Sequence, residues 1–233
     1  MKQESVQYLD WLSSVITENF YVVDLLQKKI CYTNTNGFLL SGLERDFLSK
    51  SIYVNDLSLW KAMFRIILQY LEMVGDERNE INYFSCTFRM QCKCSFVSRP
   101  LVQMVYQRIK YMYENDVLRY LICFIKHTTI KDTGNLRVQN KDCKYFSEYD
   151  FKTNRWVSKV MEPLTEREII ILMLSKQGKS LKGIANDLCR SENTIRNQIK
   201  SLFLKLNVHS MQAAIEYACN LDFSQRYSGK NED

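Results

Sequence analysis

Four polar side chains near the C-terminus have types and spacing suited to reading hydrogen-bonding edges. Asn193, Arg196, Asn197 and Lys200 fall at i, i+3, i+4 and i+7, so on a helix they form one stripe. Ile195, Ile199, Leu202 and Leu206 fall at i, i+4, i+7 and i+11 and form an apolar stripe roughly 140° away. A helix packed by the apolar stripe presents amide and cationic donors from the other side. Arginine and lysine donate to guanine O6 and N7, and an asparagine amide pairs with adenine, so the major groove of duplex DNA is one surface this face fits. The solvated face of an ordinary amphipathic helix has the same pattern, and spacing alone leaves the two readings level.

Other chemistries find less support. With only two histidines, His127 and His209, an acid–base centre would have to rest on carboxylates or lysine. A Gly-rich phosphate loop and a nucleophile elbow are both missing from the sequence, so catalysis is not expected. The 8 cysteines are scattered and read as reduced thiols. Cys86, Cys92 and Cys94 are the nearest to a metal set, but zinc sites normally use Cys-x2-Cys with a second pair or histidines, so no metal is expected. The net charge of +6 slightly favours an anionic partner. The start, MKQESVQYLDWLSSV, lacks the apolar run of a secretory signal, and apolar stretches are broken well before the ~20 residues of a membrane span. The expectation is a soluble, cytosolic chain with no membrane partner.

The elements that would position the stripe can be read from local punctuation. Thr165 and Glu168 form a Thr-x-x-Glu capping box after Pro163, opening a helix with Ile169, Leu172, Met173 and Lys176 on its buried side. Gly178 closes it as a left-handed cap. Ser180 caps a short second helix with Ile184, Ala185 and Leu188 inward, Cys189 and Arg190 form a turn, and Ser191 caps the helix that carries the stripe. A last helix, Met211–Asn220, has Met211, Ala214, Ile215 and Ala218 as its apolar face.

Taken together, Leu164-Thr165-x-Arg167-Glu168, Gly178, Ile184-Ala185, Leu188, Ser191, Thr194-Ile195-Arg196, Lys205-Leu206 and Ala213-Ala214 resemble the LuxR/FixJ family of DNA-binding domains across nearly its full length. The resemblance implies a four-helix helix-turn-helix domain of a transcription regulator, its third helix in the major groove and its fourth commonly pairing two subunits. Carried over position by position, Arg196, Asn197 and Lys200 match places that touch bases, and Thr194 and Gln198 match places that touch the DNA backbone. Ser191 and Asn193 complete the expected DNA-binding set. Met211, Ala214, Ile215 and Ala218 are candidates for pairing two copies, with packing on their own domain as the equal alternative. Two residues depart from the family pattern. Gly183 stands where Glu would complete the box opened by Ser180, and Gln198 stands where His is usual.

Before this segment the texture changes. Met1–Thr17 reads as an amphipathic helix, Phe20–Leu25 and Lys29–Thr33 as a hairpin, and Leu57–Val74 as a longer helix. Asn82–Met90, Leu101–Tyr113 and Arg119–His127 read as three strands. This is an α+β layout, an antiparallel sheet with helices on it, followed by an all-α domain. The order, and the piece Tyr21–Leu43 with Asn34, Asn36 and Phe38, resemble the PAS sensor family. Boundaries are expected at 1–130 for a PAS-like sensor or dimerisation domain and 131–162 for a structured connector in which Lys144–Tyr149 and Phe151–Trp156 could pair. The DNA-binding domain should span 163–223, with a polar tail at 224–233. Leu57–Val74 contains no histidine for haem, and Asn34-Thr35-Asn36-Gly37-Phe38 is not a flavin-binding Asn-Cys-Arg-Phe motif. No cofactor is expected. The alternatives left for the first domain are a small apolar ligand, a protein partner, or a purely dimerising role with no ligand.

Overall fold

The computed structural model describes residues 3–34, 51–92, 101–141, 145–160, 163–206 and 208–220. Asn36, Phe38, Cys94 and the tail 224–233 lie outside them. The chain divides into two compact units, Met1–Met161 and Glu162–Asp233.

The first unit opens with α1 (Gln3–Val15), the hairpin β1 (Asn19–Asp24) and β2 (Lys29–Thr33), and α2 (Leu57–Val74). Then come β3 (Ile81–Cys92), β4 (Leu101–Glu114), β5 (Val117–His127), β6 (Gly134–Asn140), β7 (Tyr145–Asp150) and β8 (Arg155–Val160). The order of hairpin, helix and three strands is the one expected. All eight strands form one sheet in the order β2-β1-β5-β4-β3-β6-β7-β8, and each neighbouring pair is antiparallel.

Turn chemistry fixes the register of these pairs. Between β4 and β5 the two-residue turn Asn115-Asp116 has both residues at positive φ, 51° and 59°, which Asn and Asp tolerate and which matches the twist of the flanking strands. Between β1 and β2 the Asp24 carboxylate accepts from the Leu26 and Gln27 N–H groups, both at 3.0 Å, and so mimics a backbone turn. The Asn34 side chain closes the open end of the same hairpin. It accepts from Phe20 N at 2.8 Å and donates to Glu18 O at 2.8 Å.

Residues 134–160, expected as a connector, instead continue the sheet. The strand β6, which the sequence reading did not identify, pairs with β3 and carries β7 and β8 beside it. The hairpin is present, but its second strand starts at Arg155 and not at Phe151. Asp150 accepts from Lys152 N at 2.8 Å and from the Thr153 hydroxyl at 2.9 Å, and Asn154 has φ of 54°. These contacts commit Phe151–Asn154 to a turn.

Period-two alternation gives the sheet two different faces. On one, Tyr21, Phe84, Phe88, Val105, Ile109 and Leu121 bury the Trp60, Met63, Ile67 and Leu71 side of α2. On the other, Phe20, Val22 and Tyr120 bury Leu9 of α1. The first core contains a polar patch. Gln107 donates to the Tyr21 hydroxyl oxygen and accepts from the Cys86 thiol at 3.5 Å. Burial pushes the Cys86 and Cys123 thiols well up, so both stay protonated and retain an S–H donor.

The approach to α2 is pinned electrostatically. Asp56, 2% exposed, accepts from Arg89 N at 2.8 Å and from the Arg89 guanidinium, whose central carbon lies 4.5 Å from the Tyr53 ring centre. Asp56→Ala should lower the stability of the first unit by about 2–4 kcal/mol, because a backbone N–H and a cation lose their acceptor together. Asp56→Asn, which still accepts from the N–H, should cost less. Urea unfolding of both variants checks this, and equal costs would assign the effect to charge alone.

Candidate nucleic-acid interface

The second unit contains α3 (Glu166–Lys176), α4 (Leu181–Asp187), α5 (Glu192–Leu206) and α6 (Met211–Asn220). Each start is capped by a hydroxyl. Thr165 accepts from Glu168 N at 3.3 Å while Glu168 accepts from Thr165 N at 2.7 Å, the full capping box. Ser180 accepts from Gly183 N at 3.2 Å and Ser191 from Thr194 N at 3.1 Å. Ser210, which the sequence reading passed over, accepts from Ala213 N at 3.1 Å. Both stops before α5 have paired C-terminal bonds with a left-handed residue. Gly178 (φ 80°) donates to Ser175 O while Lys179 N donates to Leu174 O. After α4 the left-handed residue is Cys189 (φ 48°), with Cys189 N on Asn186 O and Arg190 N on Ala185 O.

Two apolar clusters hold α5. Ile195 and Ile199 pack with Ile171 of α3 and with Ile184 and Ala185 of α4. Leu202 and Leu206 pack with Leu164, with Leu172 of α3 and with Ala214 and Ala218 of α6. The expected buried side of α3 needs two corrections. Met173 and Lys176 are both exposed, and Ile171 occupies the core with Leu172. The run Ile169–Leu174 is apolar all round, so its periodicity could not tell the two sides apart.

On the outward side of α5, Ser191, Asn193, Thr194, Arg196, Asn197 and Lys200 are all exposed. The Ser191 and Thr194 hydroxyls lie 2.8 Å apart, so the cap is double. Gln198 differs from this set. It is half-buried at the edge of the packed stripe, and its amide oxygen is buried with no partner among the described residues. Leu204, 84% exposed, continues the outward line one turn beyond Lys200 and was also missed. The α6 candidates are largely committed elsewhere. Ala214 and Ala218 lie in this unit's own core, with Met211 and Ile215 packed against it, so the two alanines cannot also face a second copy.

A half-buried ion pair joins the end of α5 to the start of α3. Lys205 near the end of α5 donates to Glu168 Oε2 at 2.9 Å and to Pro163 O at 2.8 Å, and both side chains of the pair are about one-sixth exposed. Burial alone would push the Glu168 carboxyl up. The Lys205 ammonium and the Thr165 N–H and hydroxyl overrule it and hold the carboxyl below its ordinary range. No local pattern announces this pair, since its partners are separated by 37 positions.

Residues 162–218 match a family model described as bacterial regulatory proteins, luxR family. The chain is similar to the glycerol metabolism activator of Pseudomonas putida, 32% identical over 65 residues, 28% of this chain and 29% of that protein. It is also similar to the transcriptional regulatory protein YdfI of Bacillus subtilis, 32% identical over 85 residues, 36% of this chain and 39% of that one. The chain spans about a third of the length of the curated relatives it matches. Among solved structures it is similar to VqmA of Vibrio cholerae, with a TM-score of 0.34 at 16% identity over 96% of this chain and 89% of that one. A PAS domain from a two-component sensor histidine kinase gives a TM-score of 0.36 at 12% identity over 55% of this chain and all of that one.

Two stability predictions arise here. A Cβ at Gly183 would meet the Ser180 Oγ at 3.5 Å and the Lys179 Cβ at 3.8 Å, ordinary contacts. Gly183→Glu should therefore complete a second capping box and stabilise the unit by about 0.5–2 kcal/mol in chemical denaturation. No gain would show that the box fails to close.

For Glu168 the depressed carboxyl stabilises the fold fully above its unfolded value of about 4.3, and this contribution is lost as pH falls through the lower folded value. Glu168→Gln keeps the cap acceptor but loses the ion pair. It should cost about 1–2 kcal/mol at pH 7 and flatten the acid limb of the stability profile. An unchanged acid limb would show that other carboxylates govern it.

Proposed function

From a C-terminal unit that is a luxR-family domain, we propose that the chain is a transcription regulator that reads duplex DNA with α5. The observation that carries this is the division of α5 into two sides. Ile195, Leu202 and Leu206 are fixed in the core, and Asn193, Arg196, Asn197 and Lys200 stand exposed together on the other side. Arg196 and Asn197 are assigned to base edges, and Lys200 to bases or phosphates. Ser191 and Thr194 are assigned to the DNA backbone, and so is Gln198 through its amide N–H groups. The regulator acts as a homodimer on two half-sites about 10 base pairs apart, one turn of duplex. The first unit senses a small ligand, for which the polar patch Tyr21-Gln107-Cys86 inside an otherwise apolar core supplies hydrogen-bonding handles.

Selection of bound sequences from random duplex DNA, followed by titration of variants, tests the reading. Arg196→Ala should weaken the selected site by about 1–3 kcal/mol and relax preference at one or two base pairs. If Arg196→Ala, Asn197→Ala and Lys200→Ala all weaken every sequence equally, this face touches phosphates alone. Native mass spectrometry of the purified chain tests the sensor. A co-purified small molecule supports it, and an empty protein favours a dimerising role for the first unit.

A further inference from the structure

The outward stripe of α5 does not end at Lys200. At about 100° per residue, Leu204 falls in phase between Asn193 and Asn197, and roughly 160° from the buried Leu202 and Leu206. It is 84% exposed, the most exposed large apolar side chain among the described residues. With a rise of about 1.5 Å per residue it stands about 6 Å beyond Lys200 along the helix. The backbone beneath it is held firmly. Leu202 and Leu206 lie in the core on either side of it, and Lys205 donates to Pro163 O at 2.8 Å and to Glu168 Oε2 at 2.9 Å.

A single exposed leucine is ordinary on a protein surface, and the phase of this one is what gives it a use. Asn193, Arg196, Asn197 and Lys200 offer amide, guanidinium and ammonium donors, whereas a leucine makes neither a hydrogen bond nor an ion pair. Among the base edges of the major groove, the C5 methyl of thymine is the apolar group that such a side chain can meet. We propose that Leu204 is a specificity-determining residue that packs on a thymine methyl, beyond the base pairs met by Arg196 and Asn197. Like the assignments of those two residues, this contact rests on α5 being the helix that reads DNA.

The length of the stripe allows it. Asn193 and Leu204 are eleven residues apart, about 16 Å along the helix. Base pairs are spaced about 3.4 Å apart, so a helix lying along the groove carries this stripe past about four to five of them. A lysine or arginine in place of Leu204 would reach the phosphates, which carry no sequence information. Leucine discriminates instead, because cytosine presents an amino donor in the groove and lacks the methyl. Burial of one methyl group corresponds to about a fourfold change in affinity.

Duplexes selected by the full chain test this when single thymines are replaced by deoxyuridine, which lacks only the C5 methyl. At one thymine, beyond the base pairs whose preference Arg196→Ala relaxes, the replacement should weaken wild-type binding about fourfold. Leu204→Ala should bind the thymine and deoxyuridine duplexes equally, and Leu204→Met, which keeps an apolar tip, should retain most of the difference. The side chain is exposed, so urea unfolding should be the same for all three chains. A wild-type chain indifferent to methyl removal at every thymine of its site would overturn the proposal. So would a Leu204→Ala chain that loses the same factor on both duplexes, which would place Leu204 on the sugar–phosphate wall. Either result leaves the reading of α5 standing where Arg196→Ala still relaxes sequence preference. A wild-type chain with no sequence preference would overturn both.

Discussion

The exposed side of α5 is only as well placed as its buried side is fixed, and two separate clusters do the fixing. Ile195 and Ile199 are gripped between α3 and α4, while Leu202 and Leu206 are gripped between α3 and α6. Neighbouring α3 residues serve both, Ile171 in the first cluster and Leu172 in the second. A helix held at both ends against one rigid neighbour cannot roll about its axis without breaking close packing in one cluster. The Lys205–Glu168 pair adds a polar tie from the end of α5 to the capping box of α3. The orientation of Arg196, Asn197 and Lys200 thus derives from groups on the opposite side of the same helix.

The first unit shows the same dependence of a covering helix on distant supports. Its sheet is wider than a five-strand reading would allow, because β6 pairs with β3 and gives the β7–β8 hairpin an edge to join. Trp156 of β8 meets Tyr70 of α2, ring centres 4.7 Å apart, so the hairpin helps to hold the helix that covers the core. The Gln107 amide bonds Tyr21 and Cys86 within the core, which lowers the cost of burying it among apolar side chains.

Much of this was legible in the sequence, for identifiable reasons. Strong periodicity placed α2 and α5, and short-range side-chain-to-backbone chemistry placed the caps at Thr165, Gly178, Ser180 and Ser191. The strand β6 was missed because Gly134–Asn140 holds only two buried apolar side chains, Leu136 and Val138, a weak alternation beside the long strands. Met173 was misplaced because an apolar run on every side of α3 has no phase to read. The Lys205–Glu168 pair, the half-buried state of Gln198 and the exposed Leu204 are products of tertiary packing, and a linear sequence contains no signal for them. Ser210 is the exception, since a serine ahead of an apolar-periodic helix is a readable cap.

The helix α4 shows how tertiary packing outweighs local preference in this unit. It has seven residues, too few to be stable alone. Its third position is Gly183, the costliest ordinary residue in a helix. Its left-handed stop is Cys189, where a side chain costs about 1–2 kcal/mol that glycine would avoid. Against these stand the full burial of Ile184 and Ala185 and the paired bonds of Cys189 and Arg190 to the end of the helix. A fully buried isoleucine contributes about 1.5–3 kcal/mol, enough to offset the glycine or the strained stop, though not both with any margin. The remainder comes from Ala185 and from Leu181 and Leu188, partly buried against the same cluster of α3 and α5 side chains. The helix therefore forms where its neighbours already are, and the turn that aims α5 is set by the same contacts that hold α5 in place.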